Sequence, residues 1–236
     1  MNLEPSKAQE LSSKLSDFVK DKKTNTLIAP CFTSLFAVQE STKGNLKLGA
    51  QNAHWEESGA YTGEISCSML KVSGCEFVII GHSERRDIFK EDNELVLKRA
   101  LGVLDNDLEL VFCIGETESE RDAGDTFKVL EDQLSGLIKN IDKTKLDKLV
   151  IAYEPVWAIG TGKVASLDEI NETHNFISDL LNKNLIKNTP ILYGGSVNPD
   201  NFSEILNIDK VSGALVGGAS LTFEKFSALI EIAENS

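Results

Sequence analysis

The chain has 236 residues, 41% of them hydrophobic, enough to bury a sizeable core in one large α/β domain or two small ones. Its 24 Lys and Arg against 37 Asp and Glu leave a net charge of −13, which argues against nucleic acid or an acidic membrane as a partner. No stretch approaches the ~20 apolar residues of a membrane span, and the N-terminus lacks a signal peptide's apolar core. Cys31, Cys67, Cys75 and Cys113 form no CxxC pair and read as reduced thiols of a cytoplasmic protein. Only five Pro and no Ser/Gly-rich or single-charge tract interrupt the chain, so a single domain over 1–236 is expected.

The first element is a helix, because Ala8, Leu11, Leu15, Phe18 and Val19 recur at three- and four-residue steps and Pro5 fits a first turn. From there short apolar runs alternate with helical patterns, the signature of βα units on a parallel sheet. Strands are expected near 25–30, 46–50, 76–81, 108–113, 148–153, 189–193 and 211–217. Helices are expected near 33–40, 66–73, 92–104, 120–139, 166–182, 198–207 and 222–233. Eight helices with seven strands is the pattern of an eightfold (β/α) barrel without its opening strand.

Four strand ends carry candidate chemistry. The run Leu149-Val150-Ile151-Ala152-Tyr153 is apolar on both sides of the pleat, as in a strand buried on both faces, and Glu154 falls where it meets solvent. Pro155 stops further pairing, Gly160 and Gly162 give the following loop freedom to approach a ligand, and Trp157 and Ile159 can exclude water from it. In Glu76-Phe77-Val78-Ile79-Ile80-Gly81-His82-Ser83-Glu84-Arg85-Arg86, an imidazole follows a strand and precedes a helical turn whose amides can donate to it, disfavouring its protonated form. The last two strands end in glycine pairs, Gly194-Gly195-Ser196 and Gly217-Gly218, which supply backbone amides to an anion without many cations.

The undecapeptide Tyr153 to Lys163 resembles the active-site signature of the triosephosphate isomerase family, and Gly81-His82-Ser83-Glu84-Arg85-Arg86 resembles its histidine segment. The resemblance runs from Asn2 to the end and implies a (β/α)8 TIM barrel, with interconversion of dihydroxyacetone phosphate and D-glyceraldehyde 3-phosphate in glycolysis and gluconeogenesis, without metal or cofactor. It further implies that Glu154 is the base and His82 a neutral electrophile. Gly160, Ser196, Gly217 and Gly218 would contact the substrate phosphate. The family's first strand ends in Asn-x-Lys-x-Asn, and Met1-Asn2 matches only the tail of that motif. The first β-strand and the catalytic Asn and Lys are therefore expected to be missing, through a start set inside the motif or through a real loss. Gln51 to Glu64 resembles the family's interdigitating loop, implying a homodimer through the loop around Thr62.

Other candidates favour structural roles. His174 shares a helical stripe with Ile170, Ile177 and Leu181 and reads as a core histidine, Glu116 reads as support for a strand end, and Glu84 reads as a partner for the absent lysine. His54 and His82 have no ligand at metal spacing. Another phosphate-binding barrel enzyme, such as an aldolase or sugar-phosphate epimerase, would share the glycine loops but not His82 and Glu154 in these settings. A catalytically impaired relative would explain the missing Asn-x-Lys.

Overall fold

The computed structural model describes residues 1–42, 44–160 and 163–236. Seven parallel strands lie in chain order: β1 (Thr26–Ile28), β2 (Leu46–Ala50), β3 (Phe77–Ile80), β4 (Glu109–Ile114), β5 (Leu149–Tyr153), β6 (Ile191–Tyr193) and β7 (Gly213–Ala214). Every neighbouring pair is parallel, so each connection crosses over through a helix on the outer face. Seven strands stand at the seven places read from the sequence. Among the described residues no ladder joins β1 to β7, so the sheet has a seam there.

The sheet is curled, as the core shows. Phe77, Val111, Cys113 and Ala152 form an inner cluster that also takes Leu27 from β1, Leu192 from β6 and Leu215 just past β7. First and last strands thus face one interior, as in a TIM barrel. The alternate residues Val78, Ile80, Leu110, Phe112, Ile151 and Tyr153 point outward into the main cluster beneath the helices. This strict period of two explains why the central strands read as continuous apolar runs: both faces are buried. A third cluster, built on Leu15, Val19, Leu46, Phe202, Phe226, Leu229 and Ile230, gathers Ile28 and Ala214 from the two sides of the seam. Glu234 completes this clasp by accepting hydrogen bonds from the backbone N–H groups of Lys23 and Thr24 and from the Thr24 hydroxyl. These contacts hold its pKa down at about 2.

Local capping sets several helix starts. The side chains of Ser66, Asp92, Thr117 and Ser166 each accept from an amide of the first turn, and Thr117 with Glu120 and Ser166 with Glu169 close reciprocal capping boxes. Three expected boundaries are corrected. The helix near 120–139 is two, Glu118–Asp122 and Thr126–Asn140, because Gly124 turns the chain at φ 77°. The segment near 33–40 opens as a 3-10 turn, Phe32–Ser34, before the helix Leu35–Gln39. The strand near 211–217 pairs only at Gly213–Ala214, although Leu215 N still donates to Tyr193 O at 2.9 Å.

His174 sits in the helix Leu167–Lys183, 0% exposed, with Nδ1 donating to Lys210 O at 3.3 Å. Burial disfavours its charged form and lowers its pKa to about 4, the backbone contact opposing this only in part. The folded protein therefore binds fewer protons than the unfolded chain between pH ~4 and ~6.5, so His174 contributes stability that is complete above ~6.5 and lost as pH falls toward ~4. That loss amounts to roughly 3 kcal/mol at most. Urea unfolding at pH 7 and pH 4.5 is expected to show a smaller pH-dependent drop for His174→Asn than for the wild type, and equal drops would show that His174 is not a source of acid lability.

Candidate functional site

The candidate residues stand at the C-terminal ends of the strands. Glu154 follows β5, and the pleat that turns Val150 and Ala152 inward carries its side chain to the same side. Its backbone N–H donates to Ile114 O at 2.8 Å, extending the β4–β5 ladder by one step. Close approach fixes its neighbours: a Cβ on Gly115 would lie 1.7 Å from Glu154 O, and one on Gly194 would lie 2.8 Å from Glu154 Cγ. No side chain fits at either position while the glutamate stays where it is.

The Glu154 carboxylate is 2% exposed yet fully engaged. Its Oε2 accepts from Ser83 N at 2.9 Å, and its Oε1 lies 2.9 Å from His82 Nε2. Cys113 lies close beneath it, and burial together with the Glu154 charge pushes the thiol pKa well up, so the sulfur stays protonated. Arg86 turns its guanidinium to the carbonyls of Gly81 and Cys113 at 2.8 and 3.3 Å, tying β3 to β4 under the site.

His82 caps the short helix Ser83–Asp87, its Nδ1 accepting from Glu84 N at 3.3 Å. An amide aimed at Nδ1 leaves the proton on Nε2, which then donates to Glu154. The amide donor that the sequence suggested is present, and it favours the neutral ring. Burial acts in the same direction, but the hydrogen bond and charge of Glu154, assisted by Glu84, outweigh it and raise the His82 pKa. Glu154 and the imidazole are therefore bonded to one another.

The loop after Glu154 is anchored at its start. Glu116 is 0% exposed, and its Oε1 accepts from Tyr153 Oη at 3.2 Å, Trp157 Nε1 at 2.9 Å and Arg121 at 3.2 Å. A carboxylate so enclosed supports the loop and does not face the mouth, matching the structural role read for it. Ser196 Oγ donates to Ala158 O at 2.7 Å, so the loop after β6 holds the loop after β5. Gly160 adopts φ 68° with open space where a Cβ would project, and Gly162 lies outside the described residues. Gly217 and Gly218 are exposed just past β7, and a Cβ at either would likewise project into open space. Thus Glu154 and His82 are in direct contact, Ser196 touches the loop that carries Gly160, and Gly217 and Gly218 border the same rim.

Sequence reasoning missed Ser83 N as the partner of Glu154, and the signal for it was the serine next to His82 at a helix start. The Cys113 contact was also missed, because an apolar strand gives no sign of which residue lies under a base. Among the described residues no group of three or more His, Cys, Asp or Glu side chains is placed to hold a metal ion, and no helix is long and apolar enough to cross a membrane.

Comparison with known proteins agrees with this geometry. The family description "Triosephosphate isomerase" matches residues 1–233. Among curated relatives, triosephosphate isomerase of Geotalea uraniireducens is 46% identical over 235 residues, covering 97% of this chain and 94% of the relative. The enzyme of Caldanaerobacter subterraneus is 46% identical, with 98% and 95% covered, and that of Aquifex aeolicus is 45% identical over the same shares. With a family match over nearly the whole chain and the paired glutamate and histidine at the strand ends, the chain belongs to the triosephosphate isomerase family.

Proposed function

We propose that this protein interconverts dihydroxyacetone phosphate and D-glyceraldehyde 3-phosphate, the glycolytic and gluconeogenic step its relatives are named for, with Glu154 as the base and His82 as the electrophile. The observation that carries this reading is the buried Glu154 carboxylate, 2.9 Å from His82 Nε2 at the inner rim of the sheet. A substrate entering there separates the pair. Glu154, nearly dry, then takes the carbon-bound proton and returns it to the adjacent carbon through an enediol(ate). His82 Nε2–H donates to the carbonyl oxygen on which charge develops, a role that needs the neutral ring that the Glu84 amide favours. Gly160, Ser196, Gly217 and Gly218 bind the phosphate through amides and a hydroxyl, and the loop from Pro155 closes over it to suppress phosphate elimination. An aldolase or epimerase is disfavoured by the direct Glu154–His82 pairing, and residence in the cytoplasm fits a glycolytic step.

Two further parts belong to this reading. The first is an eighth strand, ending in Asn-x-Lys, that closes the seam between β1 and β7; support comes from the unjoined edges and the half-buried Leu27, Ile28 and Ala214 beside them. The second is a homodimer through the loop around Thr62. That loop is packed on itself, with His54 stacked on Trp55 at 3.9 Å and tilted against Tyr61 at 4.1 Å, and Arg99 bonded to Ala53 O and Glu64. Phe36, Tyr61, Met69, Val72, Ile88 and Phe89 are all exposed, an apolar load that suits a second copy.

Glu154→Gln is expected to lower turnover by roughly 10²–10⁴-fold with little change in affinity for a phosphate-bearing substrate analogue, and near-full turnover would sink the assignment. For His82→Ala, analogue affinity measured beside turnover is the useful pair: turnover falls and affinity stays. If both fall together in a well-folded variant, imidazole and phosphate loops do not divide the work as stated. Joining a strand that ends Asn-x-Lys ahead of Asn2 is expected to raise both melting temperature and turnover relative to residues 1–236 alone, and unchanged values would remove the eighth strand from the reading.

A further inference from the structure

At the opposite end of the sheet from the catalytic rim, where β6 and β7 begin, lies a cavity of about 200 Å³. On the same measure a single bound water needs only about 10–15 Å³, so the space is roughly fifteen times that. Its floor is apolar, formed by Leu181, Ile186 and Ile191, each 3% exposed or less. Its walls are hydroxyls and amides: Ser178 and Asn182 from the helix Leu167–Lys183, Asn188 and Thr189 from the approach to β6, and Lys210 and Ser212 from the approach to β7.

Three observations set this cavity apart from an ordinary surface dent. Thr189 Oγ1 is buried without a hydrogen-bond partner among the described residues, a cost that a ligand hydroxyl or carboxylate removes. Asn188 and Lys210 hold left-handed backbone at φ 59° and 66°, a conformation that non-glycine residues rarely adopt and that clusters at binding sites. In a protein of net charge −13 the lining contains no carboxylate among the described residues, and its ionisable side chain is a lysine. Lys210 pairs with the adjacent Asp209 at 2.9 Å, but an exposed pair of this kind is weak and yields readily to a better-placed anion.

We propose that this cavity binds a small polyhydroxylated carboxylate, a sugar-acid type of molecule. Its carboxylate meets Lys210 and its hydroxyls exchange hydrogen bonds with Ser178, Asn182, Asn188, Thr189 and Ser212, groups that both donate and accept. Its carbon chain lies on the Leu181, Ile186 and Ile191 floor. Ser212 retains capacity for this, since its Oγ only accepts from Ile191 N at 3.3 Å and its own hydrogen is available.

The probe is sodium gluconate, titrated by calorimetry into the full chain with saturating inorganic phosphate present to occupy the catalytic rim. Saturable binding at one site is expected, with the uncharged hexitol sorbitol and the small anion acetate each at least about tenfold weaker. Thr189→Val, close in shape to the native residue, and Lys210→Met are each expected to weaken gluconate about tenfold or more while isomerase turnover stays the same. Ser178→Ala serves the same purpose should Thr189→Val fail to fold. A cavity that holds only water gives no saturation and overturns the proposal, as does gluconate binding that all the variants leave intact or that phosphate abolishes.

Discussion

A carboxylate enclosed in a nearly dry interior is the constraint on which the rest of this structure depends. Glu154 is 2% exposed, and an unpaired anion there would be far too costly. The fold answers with two donors brought from β3, the Ser83 amide and His82 Nε2, each at 2.9 Å. Both lie two strands away from β5, so the pairing of β3, β4 and β5 must be exact for the site to exist. Arg86 secures that register from below through the Gly81 and Cys113 carbonyls, and Gly115 and Gly194 let the flanking strands approach. The sheet register and the candidate site therefore share the same residues here, and a change that loosens β4 reaches Glu154 directly.

The loop over the site depends on a second buried carboxylate. Glu116 collects Tyr153, Trp157 and Arg121, and Arg121 in turn reaches Glu169 at 2.6 Å, the residue that closes the capping box of the helix Leu167–Lys183. One network thus spans the strand that ends in the base, the first turn of the loop and the helix after the loop. Ser196 adds a hold on Ala158 from the next strand end. Trp157 and Ala158 on one side and the start of the helix at Ser166 on the other are thereby tied to the strand ends that carry Glu116 and Ser196.

The central strands were legible because burial on both faces writes an unbroken apolar run, and Leu149 to Tyr153 is the clearest case. The end of β7 was less so. Leu215 and Val216 are apolar because they pack, Leu215 inward and Val216 against the clasp cluster, not because they pair, and hydropathy does not separate those two causes. The helix near 120–139 looked continuous since Gly124 within a helical pattern costs only about 1 kcal/mol, and nothing local says that it takes φ 77°. For the site, Glu154 and His82 were each visible as a polar residue closing an apolar run. Their direct contact was not, because it joins two distant strand ends and depends on the curl of the sheet. The cavity beneath β6 and β7 was wholly hidden, since Ser178, Thr189 and Lys210 belong to separate segments with no pattern in common.

The acidity of the chain poses a problem that the geometry of the rim resolves. An anionic substrate approaching a protein of net charge −13 meets unfavourable long-range potential, but at physiological salt that field is screened beyond about 8 Å. What remains is local, and the exposed Gly217 and Gly218 past β7 bring uncharged backbone, not cations, to the rim. The basic side chains nearest the site are already committed, Arg85 to Glu91 at 2.6 Å and Arg86 to backbone carbonyls. A rim built on backbone dipoles also leaves Arg85 as the cation that weighs on His82 among the described residues. The tendency of the ring to hold a second proton then turns chiefly on the Glu154 hydrogen bond and charge, which burial opposes.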